Sequence, residues 1–297
     1  MNTDTLIKSA LEEDIGPGDI TTEATLKKDK TIEAHITSNQ DGILCGINIA
    51  KKVFETLDKN ITFKKQANDS EKIKANQTIA KLKGSAKTIL AGERTALNFL
   101  GHLTGIATQT SKFKKQCQNA ELLDTRKTIP CLRTLEKYAV RCGGGKNHRM
   151  GLYDMILIKD NHIKAAGSIE NALALANKQN ITQNREGRDS RTDMTKNQWG
   201  NSLYHNKEIE LECKTLDEVK EALKTATLPD IIMLDNMTLT DTKKALNIIN
   251  KKTKTEISGG INIDNIKQID NLGPDYISTS KITVSAQHHD YSMNIEI

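Results

Sequence analysis

Chemistry-bearing residues collect where short apolar runs end. Thr125, Arg126 and Lys127 follow "ELLD", and Lys159, Asp160, Asn161 and His162 follow "MILI". Asp235 and Asn236 follow "IIML", Ser258, Gly259 and Gly260 follow "TEI", and Ser278, Thr279, Ser280 and Lys281 follow "DYI". The run "IELEC" carries Glu210 and Glu212 within it, and "GGGKNHRMG" supplies His148 and Arg149 after three glycines. Arginine presents a planar fork that matches a carboxylate or phosphate. Arg126, Lys127, His148, Arg149 and Lys159 therefore suit an anionic ligand. Glu212 and Asp235, 23 positions apart, suit ribose hydroxyls or Mg²⁺ bound through water. In "SGGIN", two glycines precede an expected helix over 262–272, where backbone N–H groups would face a phosphate. Each of these features has a plainer reading as a solvated cap, a surface ion pair or a helix-ending glycine. Their recurrence at successive strand ends favours one functional rim.

The elements that would position them alternate. Apolar runs at "AELLD", "YDMILIK", "IELEC", "DIIMLD", "TEIS" and "DYIS" read as strands. Helical spacing lies between them at 131–142, 168–177, 215–226 and 238–250. Such alternation implies parallel strands with covering helices. The fold class is α/β: an open or incomplete α/β barrel with an N-terminal α/β sandwich domain. A doubly wound sheet competes, but its G-x-G-x-x-G fingerprint is absent. The first hundred residues mix helix ("TDTLIKSALEED", "INIAKKVFETLD") and strand ("TIEAHITS", "QTIAKLKG"). Residues 86–118 read as helix with a break near Gly101–Gly105. The boundaries read as 1–104 for the N-terminal domain, joined by the tail 282–297, and 105–281 for the barrel. The polar stretch 180–206 reads as a mobile surface insertion, with Trp199 its local anchor.

Bulk properties narrow the class. The 297 residues carry 43 basic and 38 acidic side chains, a net charge of +5 that alone does not decide the partner. Only 3% are aromatic, the charge signs are mixed and no nucleic-acid motif is present, so nucleic-acid binding is disfavoured. No apolar run is long enough for a bilayer, and the N-terminus lacks an export-signal pattern. Five scattered cysteines without CxxC spacing suit reduced thiols in a cytoplasm, and suit neither a zinc site nor a disulfide frame.

The chain resembles the quinolinate phosphoribosyltransferases. The resemblance runs from "LEEDIGPGDIT" through "GERTALNFLGHLTGIAT", "DTRKT", "KYAVRCGGGKNHRMGLYDMILIKDNHI", "IELEC" and "IIMLDN" to "SGGI". It implies an enzyme joining quinolinate to phosphoribosyl pyrophosphate with decarboxylation and Mg²⁺, on the path to NAD. It implies that Arg126, Lys127, His148, Arg149 and Lys159 hold the quinolinate carboxylates and neighbouring phosphates, with Thr125 among the binding residues. Lys159, Glu212 and Asp235 would be the catalytic group, the two carboxylates facing ribose hydroxyls and metal. Ser258, Gly259 and Gly260 would bind the 5-phosphate. Arg94, in "GERT", would reach into a partner's site in a homodimer, or in a higher oligomer built from it. Two departures stand out: 180–206 is longer than the family's link, and Ser280 replaces a glycine while offering a hydroxyl as donor. A barrel-end lysine such as Lys159 also suits a Schiff-base aldolase, which borohydride trapping would reveal.

Overall fold

The computed structural model describes residues 2–189 and 207–296. In chain order it begins with α1 (Thr3–Ile15), α2 (Ile20–Thr25), β1 (Thr31–Ser38), β2 (Gly42–Ile43), α3 (Ile47–Leu57), β3 (Thr62–Lys65), β4 (Lys72–Ile73), β5 (Gln77–Ser85) and α4 (Ala86–Gln116). There follow β6 (Glu121–Leu123), α5 (Arg133–Cys142), β7 (Ile156–Ile158), α6 (Asp160–Ala166), α7 (Ile169–Asp189), β8 (Ile209–Cys213) and α8 (Leu216–Ala222). The chain ends through β9 (Ile231–Asp235), α9 (Leu239–Ile249), β10 (Lys254–Ser258), α10 (Ile266–Asp270), β11 (Tyr276–Ser278) and β12 (Tyr291–Glu296). Two compact units result: residues 1–115, 127–147 and 280–297, and residues 116–126 and 148–279.

The first unit is built on an antiparallel sheet in the order β12-β1-β5-β3. β1 alternates: Ile32, Ala34 and Ile36 turn inward while Thr31 and Glu33 face solvent. That period of two gives the strand one apolar face. α3 adds Ile47, Ala50, Val53 and Phe54 to the same core. The C-terminal β12 pairs with β1, with Ile36 opposite Met293.

α4 runs unbroken through Gly101 and Gly105, against the break expected there. The glycines serve close approach instead of a turn. A Cβ on Gly101 would lie 1.8 Å from the His288 ring, and one on Gly105 would lie 2.1 Å from the Gln287 carbonyl oxygen. The Gly143–Gly145 run behaves likewise: a Cβ on Gly143 would meet the Ala107 carbonyl oxygen at 2.3 Å. It also ends α5, where Gly143 N–H donates to the Ala139 carbonyl.

The second unit holds six parallel strands in the order β6-β11-β10-β9-β8-β7. Consecutive strands are neighbours except β6 and β7, which sit at opposite edges. This is a barrel order opened between its first two strands. A doubly wound sheet would reverse direction part-way along instead. α8 starts with a capping box, Thr215 Oγ1 accepting from Glu218 N–H while the Glu218 carboxylate accepts from Thr215 N–H. α9 starts on Thr238 and ends at Asn250 in the left-handed region.

Two expectations change here. The helix expected at 262–272 is shorter, Ile266–Asp270, so Gly259 and Gly260 form a turn well ahead of it. The backbone at 262–265 is consumed by Asn262–Asn265 side-chain hydrogen bonds. Residues 180–189 are not loop but continue α7. Positions 190–206, Trp199 among them, lie outside the described residues. Asn180 and Lys207 bracket that stretch through two hydrogen bonds, Lys207 N–H to Asn180 Oδ1 at 2.9 Å and Asn180 Nδ2 to the Lys207 carbonyl at 2.8 Å. No described helix is long and apolar enough to cross a membrane.

Candidate active site

In the second unit all six strands run the same way, so their C-terminal ends share one edge. Thr125 and Arg126 follow β6, Lys159 follows β7, and Glu212 lies near the end of β8. Asp235 closes β9, Ser258 closes β10, and Gly259 and Gly260 come next. β8 and β9 pair in register with Cys213 opposite Leu234, and β9 with β10 places Asp235 opposite Ser258. The structure thus brings together Thr125, Arg126, His148, Arg149, Lys159, Glu212, Asp235, Ser258, Gly259 and Gly260 in one unit. Arg94, Lys127 and Ser280 belong to the first unit. Arg94 is exposed on α4.

The cation side is anchored from beneath. Asp124, buried at the end of β6, accepts the His148 backbone N–H at 2.9 Å. His148 Nδ1 accepts the Arg149 backbone N–H at 2.8 Å. With Nδ1 turned to that backbone group, Nε2 is the ring nitrogen turned to the carboxylates. Nε2 faces Glu210 Oε2 at 3.0 Å and Glu256 Oε2 at 3.5 Å. Burial pulls the His148 imidazole down, but hydrogen bonds and charge from Glu210 and Glu256 outweigh it and push it up. Burial raises Glu210 to about 7, helped by the charge of Glu256 and opposed by His148. The Arg149 guanidinium donates to the Met155 carbonyl at 3.2 Å. Burial lowers its pKa, and the like charge of Arg126 lowers it further. Two guanidinium groups close enough to repel are stabilised by an anion between them.

The carboxylate side is equally defined. Glu212 is buried, and its Oε2 is ion-paired with Lys159 Nζ. Lys214 Nζ lies 4.0 Å from Glu212 Oε1 and 2.9 Å from Asp160 Oδ2. Asp235 Oδ2 accepts from Asn236 Nδ2 at 3.1 Å. The turn after β10 holds Gly259 at φ 86° and Gly260 at φ 64°. A Cβ on Gly259 would lie 2.4 Å from Asn236 Oδ1, whereas Gly260 opens onto free space. Only glycine meets both demands at 259. Ser258 and Ser278 join across β10 and β11, Oγ to Oγ at 2.9 Å. Ser280 opens a short 3₁₀ turn without positive φ, so serine there carries none of the left-handed backbone strain that favours glycine.

Two donor sets bear on a metal. Ligand atoms of His148, Glu210 and Glu256 lie within 4.8 Å of one another, close enough for a metal ion. His148 is ion-paired with both carboxylates there, so the cluster carries a counter-charge of its own. Glu212 and Asp235 offer hard oxygen donors on neighbouring strands. Mg²⁺ keeps several waters and binds through one or two carboxylates plus substrate phosphates, so this pair fits it.

Reading the sequence missed Asp124 and Lys214, and it named Glu210 without pairing it with Glu256. One signal was available for Glu210. It lies two residues from Glu212 on a strand and so shares its face. Glu256 had no comparable signal, since one carboxylate inside "TEIS" looks like a solvated strand residue.

Fold and edge chemistry together define a class: an opened parallel α/β sheet whose strand ends gather guanidinium groups opposite carboxylates. The family described as "Quinolinate phosphoribosyl transferase, N-terminal domain" matches residues 19–104, and "Quinolinate phosphoribosyl transferase, C-terminal domain" matches 106–186 and 190–294. The chain belongs to the quinolinate phosphoribosyltransferase family. It is 36% identical over 287 residues to a probable nicotinate-nucleotide pyrophosphorylase [carboxylating] of Bacillus subtilis, covering 96% of this chain and 90% of that one. It is 36% identical over 305 residues to the chloroplastic nicotinate-nucleotide pyrophosphorylase [carboxylating] of Arabidopsis thaliana, covering 98% and 82%. The nicotinate-nucleotide pyrophosphorylase structure from Francisella tularensis superposes with TM-score 0.86 at 39% identity, covering 99% of this chain and 96% of that one.

Proposed function

We propose that this chain transfers the phosphoribosyl group of phosphoribosyl pyrophosphate to quinolinate, giving nicotinate mononucleotide, pyrophosphate and CO₂ in NAD biosynthesis. The observation that carries the reading is the placing of Arg126 and Lys159 at the same strand-end edge as Glu212 and Asp235, with Arg149 tied to the end of β6 through His148 and Asp124. Quinolinate is a dianion and its co-substrate is more highly charged, so bringing them together needs such neutralisation. Arg126, His148, Arg149 and Lys159 hold the acid, with Thr125 beside them. The family resemblance adds Lys127 and Ser280 on sequence grounds. Ser258, Gly259 and Gly260 take the 5-phosphate. Mg²⁺, held through water by Glu212 and Asp235 together with the substrate's phosphates, would supply charge neutralisation for the departing pyrophosphate.

The pyridine nitrogen attacks the anomeric carbon, and the bond to pyrophosphate breaks with its electron pair leaving on oxygen. Positive charge grows on the ribose during this step. Glu212 and Asp235 stabilise that charge electrostatically. The product is a pyridinium, whose nitrogen withdraws electrons from C2. The bond from C2 to its carboxylate then breaks, CO₂ departs, the electron pair stays in the ring and C2 takes a proton from solvent. No protein nucleophile is needed. Lys159 is ion-paired with Glu212, an arrangement for holding anions in place more than for forming a Schiff base.

The test is an assay with quinolinate, phosphoribosyl pyrophosphate and Mg²⁺, following CO₂ and mononucleotide in equal amounts. Nicotinate, lacking the leaving carboxylate, is expected to be a poor substrate. Preference for nicotinate, or no CO₂ with quinolinate, sinks the reading. The protein is expected in the cytoplasm.

The functional unit in this reading is a homodimer in which Arg94 completes the site of a second copy of the chain. Arg94→Ala and Arg126→Ala chains, each inactive alone, are expected to recover activity when mixed. Half of randomly paired dimers are hybrids with one intact site, so about one quarter of the wild-type sites should return. No recovery despite demonstrated subunit exchange refutes the shared site.

A further inference from the structure

One strand-end carboxylate already has counter-cations of the protein's own. Glu212 has an ammonium group near each oxygen: Lys159 on Oε2 and Lys214 at 4.0 Å from Oε1. Lys214 also reaches Asp160 Oδ2 at 2.9 Å, and Asp235 attracts the same ammonium. The Lys214 ammonium therefore lies between two carboxylates from adjacent strand ends, with a third on the next strand. Asp160 follows β7, Glu212 lies on β8 and Asp235 ends β9. Counted as formal charges, the three acids and two lysines sum to −1. Without Lys214 the sum is −2, the balance a divalent cation satisfies.

We propose that Lys214 is a built-in cation: its ammonium takes the place between Asp160 and Glu212, with Asp235 on the next strand, that a divalent ion would otherwise occupy. The free protein then does not preload metal at this edge. The ion enters with the phosphates of the incoming substrate, whose oxygens complete its shell. This rests on the phosphoribosyl-transfer reading for the substrate's identity, but the charge substitution stands on these side chains alone. Lys214 is half-exposed, so its removal leaves no cavity in the core.

Mn²⁺ tests this, since it shares the preference of Mg²⁺ for oxygen ligands and its free form is counted by electron paramagnetic resonance. Full-length wild-type protein without substrate is expected to take up little Mn²⁺ at this edge. Lys214→Ala should bind one further Mn²⁺ per chain, at least about tenfold tighter than any site in the wild type. Lys214→Arg keeps the charge and should behave as the wild type does. Adding Asp160→Asn to Lys214→Ala should weaken the gained site. Tight Mn²⁺ binding by the substrate-free wild type overturns the proposal, and so does Lys214→Ala protein that folds yet gains no site. These readings need no turnover. A failed quinolinate assay with a gained Mn²⁺ site would therefore refute the function and leave the lysine's role standing.

Discussion

Arg149→Ala is expected to lower kcat/KM for quinolinate by about a hundredfold or more, because removing one partner of a desolvated charge pair costs on the order of 2–5 kcal/mol. The guanidinium is buried and close enough to Arg126 for the two charges to repel. A bound carboxylate converts that repulsion into attraction, so the energy lost on truncation is binding energy for the acid. Lys in place of Arg keeps the charge but loses the fork, so Arg149→Lys should recover only part of the loss. Steady-state kinetics with quinolinate varied at saturating phosphoribosyl pyrophosphate checks both variants. The KM for phosphoribosyl pyrophosphate should move much less than that for quinolinate. Near-wild-type kinetics in Arg149→Ala would remove the residue from the acid pocket.

Much of this was legible in the residue order. Strand–helix alternation after residue 120 gave all six parallel strands, because a strand buried on both faces reads as an apolar run whatever surrounds it. The residues following those runs share one edge for the same reason: parallel strands end together. What stayed hidden depends on contacts distant in sequence. Gly101 and Gly105 look like helix breakers by propensity. They are glycine because Gln287 and His288, more than 180 residues later, press against an unbroken helix there. Glu256 looks like a surface carboxylate until β10 is placed two strands from β8, where it joins Glu210 around His148. Lys214 looks like a solvated lysine following a strand, and only the pairing of β7 with β8 sets it between Asp160 and Glu212. Local periodicity reports which face a residue lies on. It does not report which charge lies opposite.

Asp270→Ala is expected to destabilise the second unit by about 2–4 kcal/mol, a large share of a typical domain's stability. Asp270 is buried at the end of α10, and its two oxygens accept the backbone N–H groups of Gln118, Asn119 and Ala120 at 2.8–3.1 Å. Asn119 Nδ2 adds a contact at 3.0 Å. These bonds hold the entry to β6, and with it the strand that leads to Asp124, Thr125 and Arg126. Ala120 is buried and would lose its partner outright, whereas Gln118 and Asn119 are exposed and can turn to water. That limits the loss to roughly one full desolvation penalty plus a fraction of two others. Asp270→Asn should be nearly as harmful, since either amide orientation points an NH₂ group at a backbone N–H. Burial alone would raise the Asp270 carboxyl, but the backbone N–H groups outweigh it and hold it below its ordinary value of 3.8. A depressed acid stabilises the fold above its unfolded pKa and stops doing so as pH falls through the folded one. The stability gap between wild type and Asp270→Asn should therefore be full at pH 7 and shrink as pH drops below about 3.8. Urea unfolding of both proteins across that range decides it, and a gap that does not change with pH would mean the charge on Asp270 is not what anchors β6.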